Sequence, residues 1–204
     1  MSIDATSDIR IQSISADGVR AILAGTPLES YADDVIRLAN QYGLDANWAL
    51  SYIKFESGYL TSAIASHANN PFDILCNRGL WGVVDCYEPG NGYSYSVFPS
   101  IGIGLEAGFR LFSTTYIAEG YDTWEKALDR ALCGNLSCSQ DPWVLNVLEQ
   151  GQYNADTYPI TTPPPVPLPQ PTGSESTVIA LFAGFALLAG AAGIAYKYLG
   201  PVQS

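Results

Sequence analysis

The chain reads as mainly α: a helical domain with a small irregular loop and hairpin lobe, plus one C-terminal transmembrane helix. Three observations predict this. Up to about Asn154, apolar residues recur at helical spacing between capping residues and glycines. From Asn69 to Phe98 that rhythm gives way to Gly, Pro, Asn and aromatic residues with short apolar stretches. From Ser176 to Tyr196 the chain carries no charge.

In chain order, residues 1–16 form an N-terminal arm and residues 17–157 the globular domain. A short helix over Asp17 to Ala24 closes at Gly25 and Pro27. A longer one from about Ser30 to Tyr42 places Tyr31, Val35, Leu38 and Tyr42 at helical spacing and stops at Gly43. Asp45 then caps a helix that ends at Gly58. After the irregular lobe, Ser100 opens a helix with Leu105, Phe109, Phe112 and Tyr116 on one face. Asp122 with Glu125 forms a capping pair for the next, and Asp141-Pro142 has the cap-then-proline order of a further helix start.

Residues 158–175 make a proline-rich linker, whose run Pro163-Pro164-Pro165-Val166-Pro167-Leu168-Pro169 forbids helix and favours an extended, stiff spacer. Residues 176–197 supply the span, since about 20 apolar residues cross a bilayer as a helix. Its partner is therefore the lipid bilayer. Glu175 before the uncharged run and Lys197 after it put the short tail, 198–204, inside and the domain outside, as in a single-pass membrane protein. Met1 to Asp8 is acidic and lacks the basic and apolar regions of a secretory signal. The expectation is an unusual export route, or arrival within another assembly such as a membrane-containing virus particle, with viral or envelope proteins as neighbours.

A net charge of −11, with nine Lys and Arg in all, argues against nucleic acid as a partner. Cys76, Cys86, Cys133 and Cys138 allow three pairings, of which the two local loops are the least demanding, and disulfides fit an outside location. No metal site is expected, because no C-x-x-C occurs and the one histidine, His67, is remote from the cysteines. No cofactor is implied either.

Glu56 carries the chemistry. With Ala49 and Ile53 it falls at i, i+4 and i+7, on the apolar stripe of its helix, and Gly58 puts it in the last turn, where the macrodipole disfavours negative charge. Both effects favour the protonated acid, the state a glycosidase general acid requires. The plainer reading is a partly exposed glutamate with an ordinary partner. Glycoside hydrolysis also calls for a second group. Glu88 and Asp85 offer it, and Asp73 is a third candidate. Trp81, Tyr87, Tyr93 and Tyr95 surround these acids with flat faces suited to sugar rings or, equally, to core packing.

The order of motifs resembles the glucosaminidase branch of the lysozyme-like superfamily, glycoside hydrolase family 73. The resembling parts are Ile22 to Leu28, Tyr42-Gly43-Leu44-Asp45, Glu56-Ser57-Gly58, Asn69-Asn70-Pro71-Phe72-Asp73-Ile74, Tyr95-Ser96-Val97-Phe98-Pro99-Ser100 and Asp141-Pro142. The resemblance covers residues 20 to 150. It implies cleavage of the N-acetylglucosaminyl bond in peptidoglycan glycan strands, with Glu56 as catalytic acid and Glu88 as second acid. It further implies substrate contacts from Asn70, Phe72, Trp81, Tyr93 and Tyr95. One departure stands out: where the family carries Tyr-Ala-Thr-Asp-Pro with a cleft tyrosine, this chain has Cys138-Ser139-Gln140-Asp141-Pro142. Two alternatives follow, a lytic transglycosylase using Glu56 alone and a non-catalytic wall-binding or structural membrane protein.

Overall fold

The computed structural model describes residues 2–133 and 141–161, which fall in a compact unit running from Met1 to Pro163. The span at 176–197, the tail at 198–204, the linker beyond Thr161 and the proposed Cys133–Cys138 pair lie outside the described residues. Among the described residues, no helix is long and apolar enough to cross a membrane.

Local signals set the helices. α1 (Ala16–Leu23) starts on the Ser15 hydroxyl, which accepts from Gly18 N. A 3₁₀ turn, Glu29–Tyr31, leads into α2 (Ala32–Tyr42), which closes on Gly43 at φ 61°. α3 (Ala46–Ser57) is capped by Asp45 and ends at Gly58, φ 57°. The sequence reading missed α4 (Ala63–Ala68), a six-residue helix too short to display a period. After α4 come β1 (Asp85–Tyr87) and β2 (Tyr95–Val97), an antiparallel pair in which Cys86 faces Ser96 and Tyr87 faces Tyr95. α5 (Ile101–Leu111) begins at Ser100 and runs on into a π-helical turn, Phe112–Ile117. α6 (Trp124–Cys133) and α7 (Pro142–Thr157) complete the domain.

Two expectations need correction. Asp122 does not cap α6: Thr123 Oγ1 accepts from Lys126 N, and the Asp122 carboxylate instead takes the Lys126 ammonium at 3.0 Å. Nor are residues 1–16 a separate arm. Ile3, Ile9 and Ile14 are buried in the core, Ile9 N bonds to Asp122 O, and Asp45 N bonds to Ile9 O. The far boundary moves outward too, because Ser15 N donates to Tyr158 O and Ile14 bridges to Pro159. Isolated isoleucines in an acidic segment show no period, so their burial was not readable locally.

An aromatic column forms the centre of the core. Trp48 stacks on Tyr52 with centroids 5.4 Å apart, Phe112 meets both edge-on, and Phe72 continues the column towards Phe109. This packing joins α3 to α5 and to the lobe that Phe72 anchors. Gly104 and Gly108 on α5 allow the approach: a Cβ on the first would strike the Asn69 carbonyl, and on the second the Phe72 ring.

Candidate active site

Glu56 sits one residue before the end of α3, where the helix meets an open cleft of about 360 Å³. The cleft is lined by Tyr52, Phe55 and Glu56 from α3, Asp73, Leu75, Tyr93 and Tyr95 from the lobe, Ala131 and Leu132 from α6, and Trp143 from α7. Burial raises the Glu56 carboxyl to about 7, and the charge of Asp73 adds to the rise. The Tyr52 hydroxyl opposes it by hydrogen-bonding to the carboxylate. Tyr52 is itself buried in the aromatic column, which holds that hydroxyl in place beneath the acid.

The second acid in the cleft is Asp73. Its backbone is left-handed at φ 48°, in a tight turn where its N–H bonds to Asn70 O, and this turn presents the carboxyl to the cleft. Burial lifts it to about 6, and its buried Oδ1 has no hydrogen-bond partner among the described residues. Two carboxyls that sense each other in one cleft titrate as a pair, with one kept protonated while the other ionises. The arrangement can donate a proton from one and stabilise positive charge with the other.

The remaining sequence candidates divide by position. Tyr93, 61% exposed, and Tyr95 line the cleft. Asn70 does not: it is fully buried, its amide donates to Ile74 O and Ser96 O, and its Oδ1 accepts from Ile74 N. A side chain with those bonds braces the lobe and has no reach to a ligand. Phe72 is likewise core, packed against Tyr52, Phe109 and Phe112. Trp81 is not among the residues lining the cleft and packs beneath the Arg110 guanidinium at 5.5 Å. Glu88 lines a neighbouring hollow with Gly90, Gly92, Tyr93 and Ser94, which shares Tyr93 with the cleft, and is not among the residues lining the cleft itself. Asp85 is exposed, ion-paired to Arg78. Tyr87 packs on His67 with centroids 4.2 Å apart. Cys76 and Cys86 form a disulfide, which ties the segment after Leu75 to β1. Among the described residues, no group of three or more His, Cys, Asp or Glu is placed to hold a metal ion.

Sequence reasoning missed Trp143. It follows Asp141-Pro142 directly, is 57% exposed and lines the cleft, so an aromatic does come from the segment whose tyrosine is absent. Its exposed position on the first turn of α7 was the available signal.

No family model and no curated protein matches the chain. Solved structures do. Autolysin E of S. aureus superposes with a TM-score of 0.56 at 13% identity, covering 75% of this chain and 71% of that one. Its complex with the muropeptide NAM-L-Ala-D-iGlu gives 0.53 at 13%, covering 74% of each chain. A catalytic mutant of it in complex with the disaccharide NAG-NAM gives 0.53 at 12%, covering 77% of this chain and 73% of that one. At these identities the likeness is one of fold: this chain shares the mainly helical fold of autolysin E.

Proposed function

We propose that this protein is a peptidoglycan glycosidase that cleaves the glycan backbone with Glu56 as general acid. The observation that carries the reading is the pairing, in one aromatic-walled cleft, of a glutamic acid raised to about 7 with a second carboxyl, Asp73. The shared fold supports it, since autolysin E is solved with a disaccharide and a muropeptide. In this scheme a sugar ring lies against Tyr93 or Trp143 and the glycosidic oxygen takes the Glu56 proton. Ionised Asp73 supports the oxocarbenium-like carbon or orients the attacking water. Tyr52 holds the Glu56 carboxyl through its hydroxyl. The motif order supports N-acetylglucosaminidase specificity, and the uncharged run 176–196 supports anchoring of the domain to a membrane.

Lytic transglycosylation is the second reading, favoured by Glu88 lying outside the Glu56 cleft. There the sugar's own hydroxyl attacks and no water is added. Digestion of purified peptidoglycan by the chain and its Glu56→Gln variant, read by mass spectrometry, tests both. Muropeptides released by the parent alone are expected, and products heavier by one water mark hydrolysis. A folded parent that releases nothing from several wall types would leave a binding or structural role.

A further inference from the structure

A second hollow, of about 500 Å³, lies between α3 and α7 and is lined by Ser51, Lys54, Phe55, Asn146, Glu149 and Gln150. It adjoins the Glu56 cleft: Phe55 lines both, and Trp143 and Asn146, one helical turn apart on α7, carry the surface from one to the other. The two differ in chemistry. Among the described residues the cleft is lined by two carboxyls, aromatic rings and no cation, whereas the hollow presents an ammonium, two carboxamides, a hydroxyl and the single carboxylate of Glu149. Among the described residues Lys54 is thus the one cation lining either, in a chain of net charge −11 that would otherwise repel an anionic ligand.

The hollow is also braced from beneath. Lys54 Nζ donates to Gln150 Oε1, and Gln150 Nε2 donates to Asn154 Oδ1 at 2.7 Å. Asn154 is buried and bonds to Asn47 and Ser51 in the core. An ammonium carries three donors, and the bond to Gln150 uses one, leaving two for an incoming carboxylate. Asn146 and Gln150 suit peptide amides, and Glu149, as an acceptor at the wall, suits amide N–H groups and disfavours a ligand with carboxylates on every side.

We propose that the hollow between α3 and α7 binds the carboxylate-bearing peptide branch of the strand whose sugar backbone occupies the Glu56 cleft, with Lys54 as its anchor. This rests on the glycosidase reading above, and it makes peptide-substituted strands the preferred substrate.

The test uses the full-length chain and its Lys54→Met variant, which keeps the side chain's length and removes its charge. Strands bearing peptides and strands stripped of them by an amidase are compared as substrates. The parent should favour peptide-bearing strands at least tenfold in kcat/KM, and the variant should lose that ratio through KM. A second readout is independent of cleavage: titration of the dipeptide L-Ala-D-isoglutamate, followed by NMR, should shift Lys54, Asn146 and Gln150 in the parent and not in the variant. A substitution ratio near one in the parent, an unaltered ratio in the variant, or shifts absent from these residues overturns the proposal. Dipeptide binding at Lys54 by a parent that cleaves neither strand would instead defeat the glycosidase reading and leave the site standing.

Discussion

In the proposed reaction Glu56 and Asp73 impose opposite demands on protonation, which sets the expected pH response. Proton donation needs Glu56 neutral, a state lost as pH rises through about 7, while charge support needs Asp73 ionised, a state lost below about 6. Activity on peptidoglycan is therefore expected to follow a narrow bell with its maximum between those values. Asp73→Asn removes the charge that helps to raise Glu56, so its alkaline limb should move to lower pH and its rate should fall by about 10²–10⁴-fold. An alkaline limb that stays in place would remove Asp73 from the pair. Glu56 also bears on stability. Its folded value lies above the ordinary 4.5, so the benefit of the neutral form is complete below about 4.5 and is lost as pH rises through about 7. Glu56→Gln should abolish cleavage yet stabilise the fold at about pH 8, by up to about 3 kcal/mol in urea unfolding, with the gap closing near pH 5. The acid on the apolar stripe was legible because the i, i+4, i+7 spacing needs only the helix. Its partner was not, because Asp73 reaches the cleft through a left-handed turn and a long-range packing of lobe on helix.

Among the elements, the lobe depends on two devices. The Cys76–Cys86 disulfide closes a loop of sequence separation 10 behind Leu75, a cleft residue. Reducing it, or replacing both cysteines by serine, should cost about 3 kcal/mol of lobe stability. Hydrogen exchange across residues 75–97 should accelerate while the helical circular dichroism is kept. The other device is the pair of glycines on α5. Gly104→Ala sets a methyl against the Asn69 carbonyl, backbone that has no room to yield, and should destabilise by about 2 kcal/mol or more in urea unfolding. Helix limits were readable from caps and from glycines at positive φ, as at Gly43 and Gly58. Misreadings fell where a signal was one residue wide, as with Thr123 in place of Asp122, or where an element was too short to have a period, as with α4.

For the whole molecule, the N-terminal segment is structural. Ile3, Ile9 and Ile14 are buried, and Ser13 bonds through both its N–H and its hydroxyl to the Asp45 carboxylate that caps α3. A fragment of residues 17–157 should therefore melt well below one of residues 1–161, or fail to fold, because it loses three core side chains and the partners of a buried carboxylate. Equal melting curves would return the segment to the status of an arm. Periodicity, caps and composition on their own were enough to determine a mainly helical domain, its irregular lobe, the uncharged run 176–196 and Glu56 as an acid in an apolar setting, because each is a property of neighbours along the chain. Which second acid stands in the cleft, that Asn70 and Phe72 brace the lobe, that Trp143 supplies an aromatic wall and that Lys54 fronts an adjoining hollow depended on the fold, because each joins residues distant in sequence whose meeting is decided by packing.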